Sequence, residues 1–208
     1  MKMRKHITLF ALIGGMLLPL LSSAQELRLY GGYNGSNVKK AGNEQWSGRS
    51  GYQFGADMLI GNRWFLMPGI EFMVRNLNYT YAGTSSDGTV HYPSQEYKYT
   101  SNALRIPVML GFHLLDPSKD PAINIYALGG PSAMMNMHAD LNNNALHVKT
   151  NHTQWYIGFG GGLELGFLFV EAGYDVAMSN VFEGQEFQTN PKANLLHINA
   201  GLRLKLAN

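Results

Sequence analysis

The chain has 208 residues with no cysteine, 24 glycines, 11 tyrosines and 10 phenylalanines, and only 14% of its residues are charged. The absence of cysteine excludes a disulfide framework and any cysteine-held metal centre, so stability must come from burial and backbone pairing. There are 16 Lys+Arg against 14 Asp+Glu, but Lys2, Arg4 and Lys5 sit in the first five residues. Without them the balance is 13 to 14, a net of −1, which gives no support to a nucleic-acid partner.

The N-terminus reads as a secretory signal. Lys2, Arg4 and Lys5 form a positive region, Ile7 to Leu21 an apolar one, and Ser22-Ser23-Ala24 supplies small residues at the −3 and −1 positions. Cleavage is expected after Ala24, with Gln25 as the new N-terminus. The apolar run is short and interrupted by Gly14, Gly15 and Pro19, unlike a membrane-anchoring helix. No Cys follows it, which excludes a lipoprotein anchor. Residues 25–208 then form one domain. They contain no stretch of ~18 apolar residues for a helical span, no phosphate loop and no nucleophile elbow.

Segments alternating between apolar and polar residues recur to the end of the chain and predict eight strands. These are Leu27–Asn34, Gly51–Gly61, Trp64–Tyr79, Tyr97–Leu114, Ala122–Met135, Gln154–Leu165, Phe167–Met178 and Ala193–Leu206. The second places Tyr52, Phe54, Ala56, Met58 and Ile60 on one face, opposite Gln53, Gly55 and Asp57. The third opposes Trp64, Leu66, Pro68, Ile70, Phe72 and Val74 to Glu71 and Arg75. In the fourth, Leu104, Ile106, Val108, Leu110 and Phe112 face away from Arg105 and His113. The fifth alternates least clearly, because Leu128 and Met134 blur a face formed by Ile123, Ile125, Ala127, Gly129 and Pro131. Trp155, Ile157, Phe159 and Leu163 of the sixth oppose Gly158, Gly160, Gly162 and Glu164. The seventh sets Leu168, Val170, Ala172, Tyr174 and Val176 against Glu171, Gly173 and Asp175. The eighth opposes a run from Leu196 to Leu206 to His197, Arg203 and Lys205. Pro68 and Pro107 fall within strands and read as bulge or bend points.

Short connections (Gly61-Asn62-Arg63, 116–121, Leu165-Gly166) alternate with long polar ones around 35–50, 80–96, 136–153 and 179–192. That asymmetry belongs to outer-membrane barrels, whose long loops face outward. Nine charged residues, Asp57, Glu71, Arg75, Arg105, Glu164, Glu171, Asp175, Arg203 and Lys205, all lie opposite the apolar face. A Lys or Arg facing lipid at mid-depth costs ~2–4 kcal/mol, which explains such sorting. The charged face is also rich in glycine (Gly55, Gly69, Gly111, Gly158, Gly160, Gly162, Gly173, Gly201), as suits a crowded lumen. The expected fold is therefore all-β: an eight-stranded antiparallel up-and-down transmembrane β-barrel in the outer membrane.

Several segments resemble the outer-membrane β-barrel domain common in Bacteroidota, which includes the PorT-like proteins. They are Leu29-Tyr30-Gly31-Gly32-Tyr33-Asn34-Gly35-Ser36-Asn37, Leu66-Met67-Pro68-Gly69-Ile70-Glu71-Phe72, Leu104-Arg105-Ile106-Pro107-Val108-Met109-Leu110-Gly111, Gly129-Gly130-Pro131 and Val170-Glu171-Ala172-Gly173-Tyr174. The chain departs from the pattern at Arg105, where many members carry an acidic or amide residue. It departs again at Lys205-Leu206-Ala207-Asn208, which lacks a terminal aromatic. The resemblance implies fold and location, no catalytic residue, and for its few studied members a role in supporting secretion machinery.

Eight strands enclose an interior just wide enough to be filled by side chains. Asp57, Glu71, Arg75, Arg105, Glu164, Glu171, Asp175 and Arg203 are therefore expected to form a structural polar network in the lumen, with no catalytic, cofactor or metal role. A lipid-modifying site would draw on His197 or His113 with Ser179 and Glu171, and a metal site on His138, Asp140, His147 and His152, but neither set has a suitable spacing. Tyr79, Tyr81, Tyr92, Tyr97 and Tyr99 suit an aromatic girdle at the headgroups. The expected partners are outer-membrane lipid and a protein or glycan at the outer loops. A lipid-modifying enzyme and a narrow solute carrier stay open as alternatives.

Overall fold

The computed structural model describes residues 26–38, 44–81, 95–119, 121–141, 152–179 and 192–206; residues 1–24, expected as a signal, lie outside them. Eight strands follow one another: β1 Glu26–Val38, β2 Glu44–Gly61, β3 Trp64–Tyr81, β4 Gln95–His113, β5 Ile123–Leu141, β6 Thr153–Leu165, β7 Leu168–Ala177 and β8 Ala193–Lys205. Each pairs antiparallel with the next, and β1 returns to pair with β8 from Glu26↔Lys205 to Val38↔Ala193, closing the barrel.

The short connections stand together at one end, the end that outer-membrane barrels generally turn to the periplasm and that is called periplasmic below. Gly61 and Gly166 have φ of 118° and 60°, left-handed values that favour glycine and let the chain reverse within two or three residues. Between β4 and β5 the turn is a short 3₁₀ segment, Pro117–Lys119, started by Asp116 accepting from Ser118 N at 3.1 Å and Ser118 Oγ at 2.7 Å.

The alternation of side chains decides which face is which. Val108 is 41% exposed and its neighbour Met109 4%; Ile70 is 52% exposed and Glu71 0%. Ile157, Val170 and Leu202 are likewise exposed, while Arg105, Gly158 and Glu171 are buried. The outside is thus the apolar face and the inside the charged one, the arrangement a lipid solvent demands. β5 follows the rule: Ile123, Ile125, Ala127 and Pro131 are exposed. Leu128 and Met134 blur its pattern because they point inward, into two apolar clusters within the lumen.

Two readings require correction. The connections around 35–50 and 136–153 are shorter than the alternation implies, since β1 runs on to Val38, β2 begins at Glu44 and β5 extends to Leu141; residues 39–43 and 142–151 lie outside those described. Beyond the lipid, backbone pairing alone sustains a ladder, so these polar extensions carry no alternating signal. Neither Pro68 nor Pro107 is a bulge: Pro68↔Val108 and Glu71↔Arg105 share one register, with only the intervening pairs missing. A trans proline fits an extended strand and merely removes one donor. The register shifts lie elsewhere, at Arg49/Tyr52 and Asn102/Ala103.

The glycines of the inner face make room for rings. A Cβ on Gly111 would fall 2.1 Å from the Phe65 ring, and one on Gly162 2.5 Å from the Tyr126 hydroxyl. Gly111→Ala should therefore destabilise the barrel by about 1–3 kcal/mol through overpacking, whereas Gly35→Ala, with no atom within 4 Å of the new Cβ, should be silent in urea unfolding from lipid vesicles. The same assay checks the faces. Val108→Arg should cost ~2–4 kcal/mol and Leu204→Arg, near the periplasmic rim, about 0–1 kcal/mol. Equal costs would contradict the assigned depth.

Candidate functional site

The lumen holds the chain's buried chemistry. Along β1, Arg28, Tyr30 and Asn34 point inward, and all three are buried. Arg28 is the centre of the periplasmic half. Its Nε donates to Glu26 Oε1 at 2.7 Å, its Nη2 to Glu164 Oε1, and its guanidinium carbon lies 4.8 Å from the Tyr126 ring and 5.2 Å from that of Phe169. Arg203 donates to both oxygens of Glu26, at 2.9 and 2.7 Å, and lies 3.1 Å from Glu164 Oε2. Two guanidiniums and two carboxylates from three strands therefore alternate in space, which lets Arg28 and Arg203 stand directly opposite each other across the β1–β8 seam. His113 lies beside them, with Nδ1 2.8 Å from the Asn62 carbonyl oxygen and Nε2 3.2 Å from Glu164.

A second ionic centre lies midway. Arg105 Nη2 is 2.8 Å from Asp175 Oδ2, its Nη1 3.4 Å from Glu71 Oε2, and its Nε 3.4 Å from Ser132 Oγ. The Tyr30 hydroxyl reaches Glu71 at 3.1 Å and Asp57 at 3.3 Å, and the Tyr126 hydroxyl donates to Glu171 at 2.8 Å. Leu59, Phe65, Met67, Met109, Tyr126 and Leu128 form an apolar cluster on the periplasmic side, and Met73, Ala103, Met134, Tyr156, Ala177 and Leu195 another on the outer side. In that outer half Arg75 Nη1 lies 3.2 Å from both Gln154 Oε1 and Met134 Sδ.

The eight expected lumen residues are thus inward but do not form one network. Glu71, Arg105 and Asp175 touch; Glu164 and Arg203 belong to the periplasmic centre; Asp57 and Glu171 are held by tyrosines; Arg75 lies against the Gln154 amide, the Met134 thioether and the Tyr156 hydroxyl. Glu26, Arg28, Tyr30 and Tyr126 were missed. The signal was present for Arg28, which falls on the polar face of an alternating strand, between Leu27 and Leu29.

The residues considered for catalysis are dispersed. Ser179 Oγ accepts from Trp155 N at the outer end, His113 stands at the periplasmic end, and His197 is buried at mid-lumen. Of the metal candidates, His147 lies outside the described residues, as do the side chains of His138 and Asp140, and His152 is exposed. Tyr92 and the side chains of Tyr79, Tyr81, Tyr97 and Tyr99 are also outside them. Among the described residues no group of three or more His, Asp or Glu side chains is placed to hold a metal.

Removing one member of a buried ion pair strands the other in a medium that cannot solvate it. Arg105→Met, which leaves Glu71 and Asp175 without their cation, should lower stability by about 3–5 kcal/mol in urea unfolding. Arg63→Met, which removes an exposed turn residue stacked over Phe112, should change it by less than about 1 kcal/mol.

A search of the curated proteins found no match. Among solved structures the barrel is similar to the outer membrane protein OprG of Pseudomonas aeruginosa, with TM-score 0.51, 13% identity, and coverage of 88% of this chain and 97% of that one. It is similar also to the neisserial surface protein A, with TM-score 0.50, 11% identity and coverage of 87% and 96%. Ail of Yersinia pestis follows at TM-score 0.47 and 15% identity, with coverage of 86% and 98%. These likenesses concern the fold. The family model described as outer membrane protein beta-barrel domain matches residues 23–183, and the chain belongs to that family of outer-membrane barrels.

Proposed function

We propose that this is a non-catalytic outer-membrane barrel whose wall and lumen serve as an anchor, and whose function lies in the outer connections. The observation that carries this reading is the filling of the lumen. Arg28, Arg75, Tyr126, Tyr156, Phe65 and Phe169 are among the largest fully buried side chains, and they come from five strands around the interior. The eight residues Asp57, Glu71, Arg75, Arg105, Glu164, Glu171, Asp175 and Arg203 then act as packing and pairing groups. A carrier would need a continuous wet path, and the two apolar clusters lie across one. A lipid-modifying enzyme would need a nucleophile, base and acid together, and Ser179 is far in the fold from both histidines considered with it.

The connections at 39–43, 82–94, 142–152 and 178–192 all fall at the end opposite the short turns, on the cell's outside in this reading. They supply surface for a protein or glycan partner. The resemblance to the PorT-like barrels of Bacteroidota makes a secretion component the preferred protein partner. Cleavage after Ala24 would release the barrel from its signal for insertion, with lipid as its permanent partner.

Refolded protein in planar bilayers should give no stable conductance. Discrete channels whose ion selectivity changes in Glu71→Ala would favour the carrier. In cells the protein should sediment with the outer membrane and shift in gel mobility on heating. Recovery as a soluble periplasmic protein without a shift would remove the basis of the anchor.

A further inference from the structure

Midway along the lumen is a cavity of about 10 Å³, whose lining includes Glu71, Arg105, Asp175 and His197. That is the room one water molecule requires, roughly 10–15 Å³. Three buried polar atoms on its lining residues have no hydrogen-bond partner in the protein: Glu71 Oε1, Asp175 Oδ2 and His197 Nδ1. Asp175 Oδ2 is 2.8 Å from Arg105 Nη2, a charge contact without hydrogen-bond alignment. His197 Nδ1 stands 4.0 Å from Asp175 Oδ2, too far for a direct bond and within reach of two bonds to a shared water.

We propose that this cavity is a binding site for a single water molecule, held between Asp175 on β7 and His197 on β8, with Glu71 on β3 in the same lining. The water donates a proton to Asp175 Oδ2 and its oxygen faces the imidazole edge at Nδ1. This satisfies two groups that stand too far apart to bond directly. Apolar cavities of this kind stay dry, but a polar one with two to four partners fills.

Two glycines build the site. A Cβ on Gly158 would fall 2.2 Å from Asp175 Oδ1, and one on Gly173 would fall 2.4 Å from His197 Nε2. Without them neither side chain could lie against the wall and leave the centre free. The lining carries Asp57, Glu71, Glu171 and Asp175 against Arg105 alone, a charge that favours a cation. Ligand placement speaks against one: among the described residues no three acidic or imidazole groups converge as metal ligands, and the Arg105 guanidinium already supplies the positive charge beside Glu71 and Asp175. Water, which donates and accepts, fits the mixed lining.

The test uses the full chain folded in lipid nanodiscs with labelled methionine methyl groups. Magnetisation transfer from water should reach the Met109 methyl, which borders the site, and should be absent at Met73, which is buried in the outer apolar cluster. In Leu128→Phe, whose ring enters the cavity, the Met109 transfer should disappear while the barrel keeps its heat-dependent mobility. No transfer at Met109 in the folded wild type would overturn the site, and equal transfer at Met73 would replace it with a generally wet lumen. A Met109 shift that saturates with sodium chloride but not with choline chloride would replace the water with a cation. The comparison of Met109 with Met73 decides the matter even if Leu128→Phe does not fold.

Discussion

A strand edge cannot face lipid, because no water is there to pair its amides and carbonyls. The closing contact between β1 and β8 is therefore the condition on which the whole molecule rests. Thirteen residue pairs, from Glu26↔Lys205 to Val38↔Ala193, make that seam, and the barrel has no other way to complete its ladder. Closure at eight strands also sets the interior width. The inward residues must fill that width and must be polar or small wherever their neighbours leave no room.

The two ionic centres are consequences of this confinement. A guanidinium inside the wall needs carboxylates within reach, and Arg28 finds them on its own strand and on β6, with the rings of Tyr126 and Phe169 beside it. Arg203 brings β8 to the same carboxylates, so the periplasmic centre also ties the seam together from within. Arg105 does the corresponding service between β3, β4 and β7. Buried pairs of this type gain little over apolar packing in stability, but removing one partner is costly, so they select one arrangement among those of similar packing.

Such an interior leaves the wall uniform towards lipid and the lumen occupied. Chemistry or recognition that depends on reaching the lumen meets packed side chains from either end.

The sequence alone determined the strand number, their order, the two faces and the end at which the short turns gather. These follow from period-two alternation and from the cost of charge in lipid, both local properties of a strand. Even the ambiguous fifth strand obeyed them, since Ile123, Ile125 and Ala127 face outward as read. Strand ends in water escaped notice because no apolar face is needed there, as at Val38, Glu44 and Leu141. Partners across the lumen were not legible either: which carboxylate Arg28 meets depends on stagger around a closed sheet, and Glu164 lies 136 residues away. Tertiary structure decided that most of the charges gather in two centres, with one apolar cluster on the periplasmic side of the middle centre and another on its outer side, because closure brings distant strands to one height and alternation along a single strand carries no information about height.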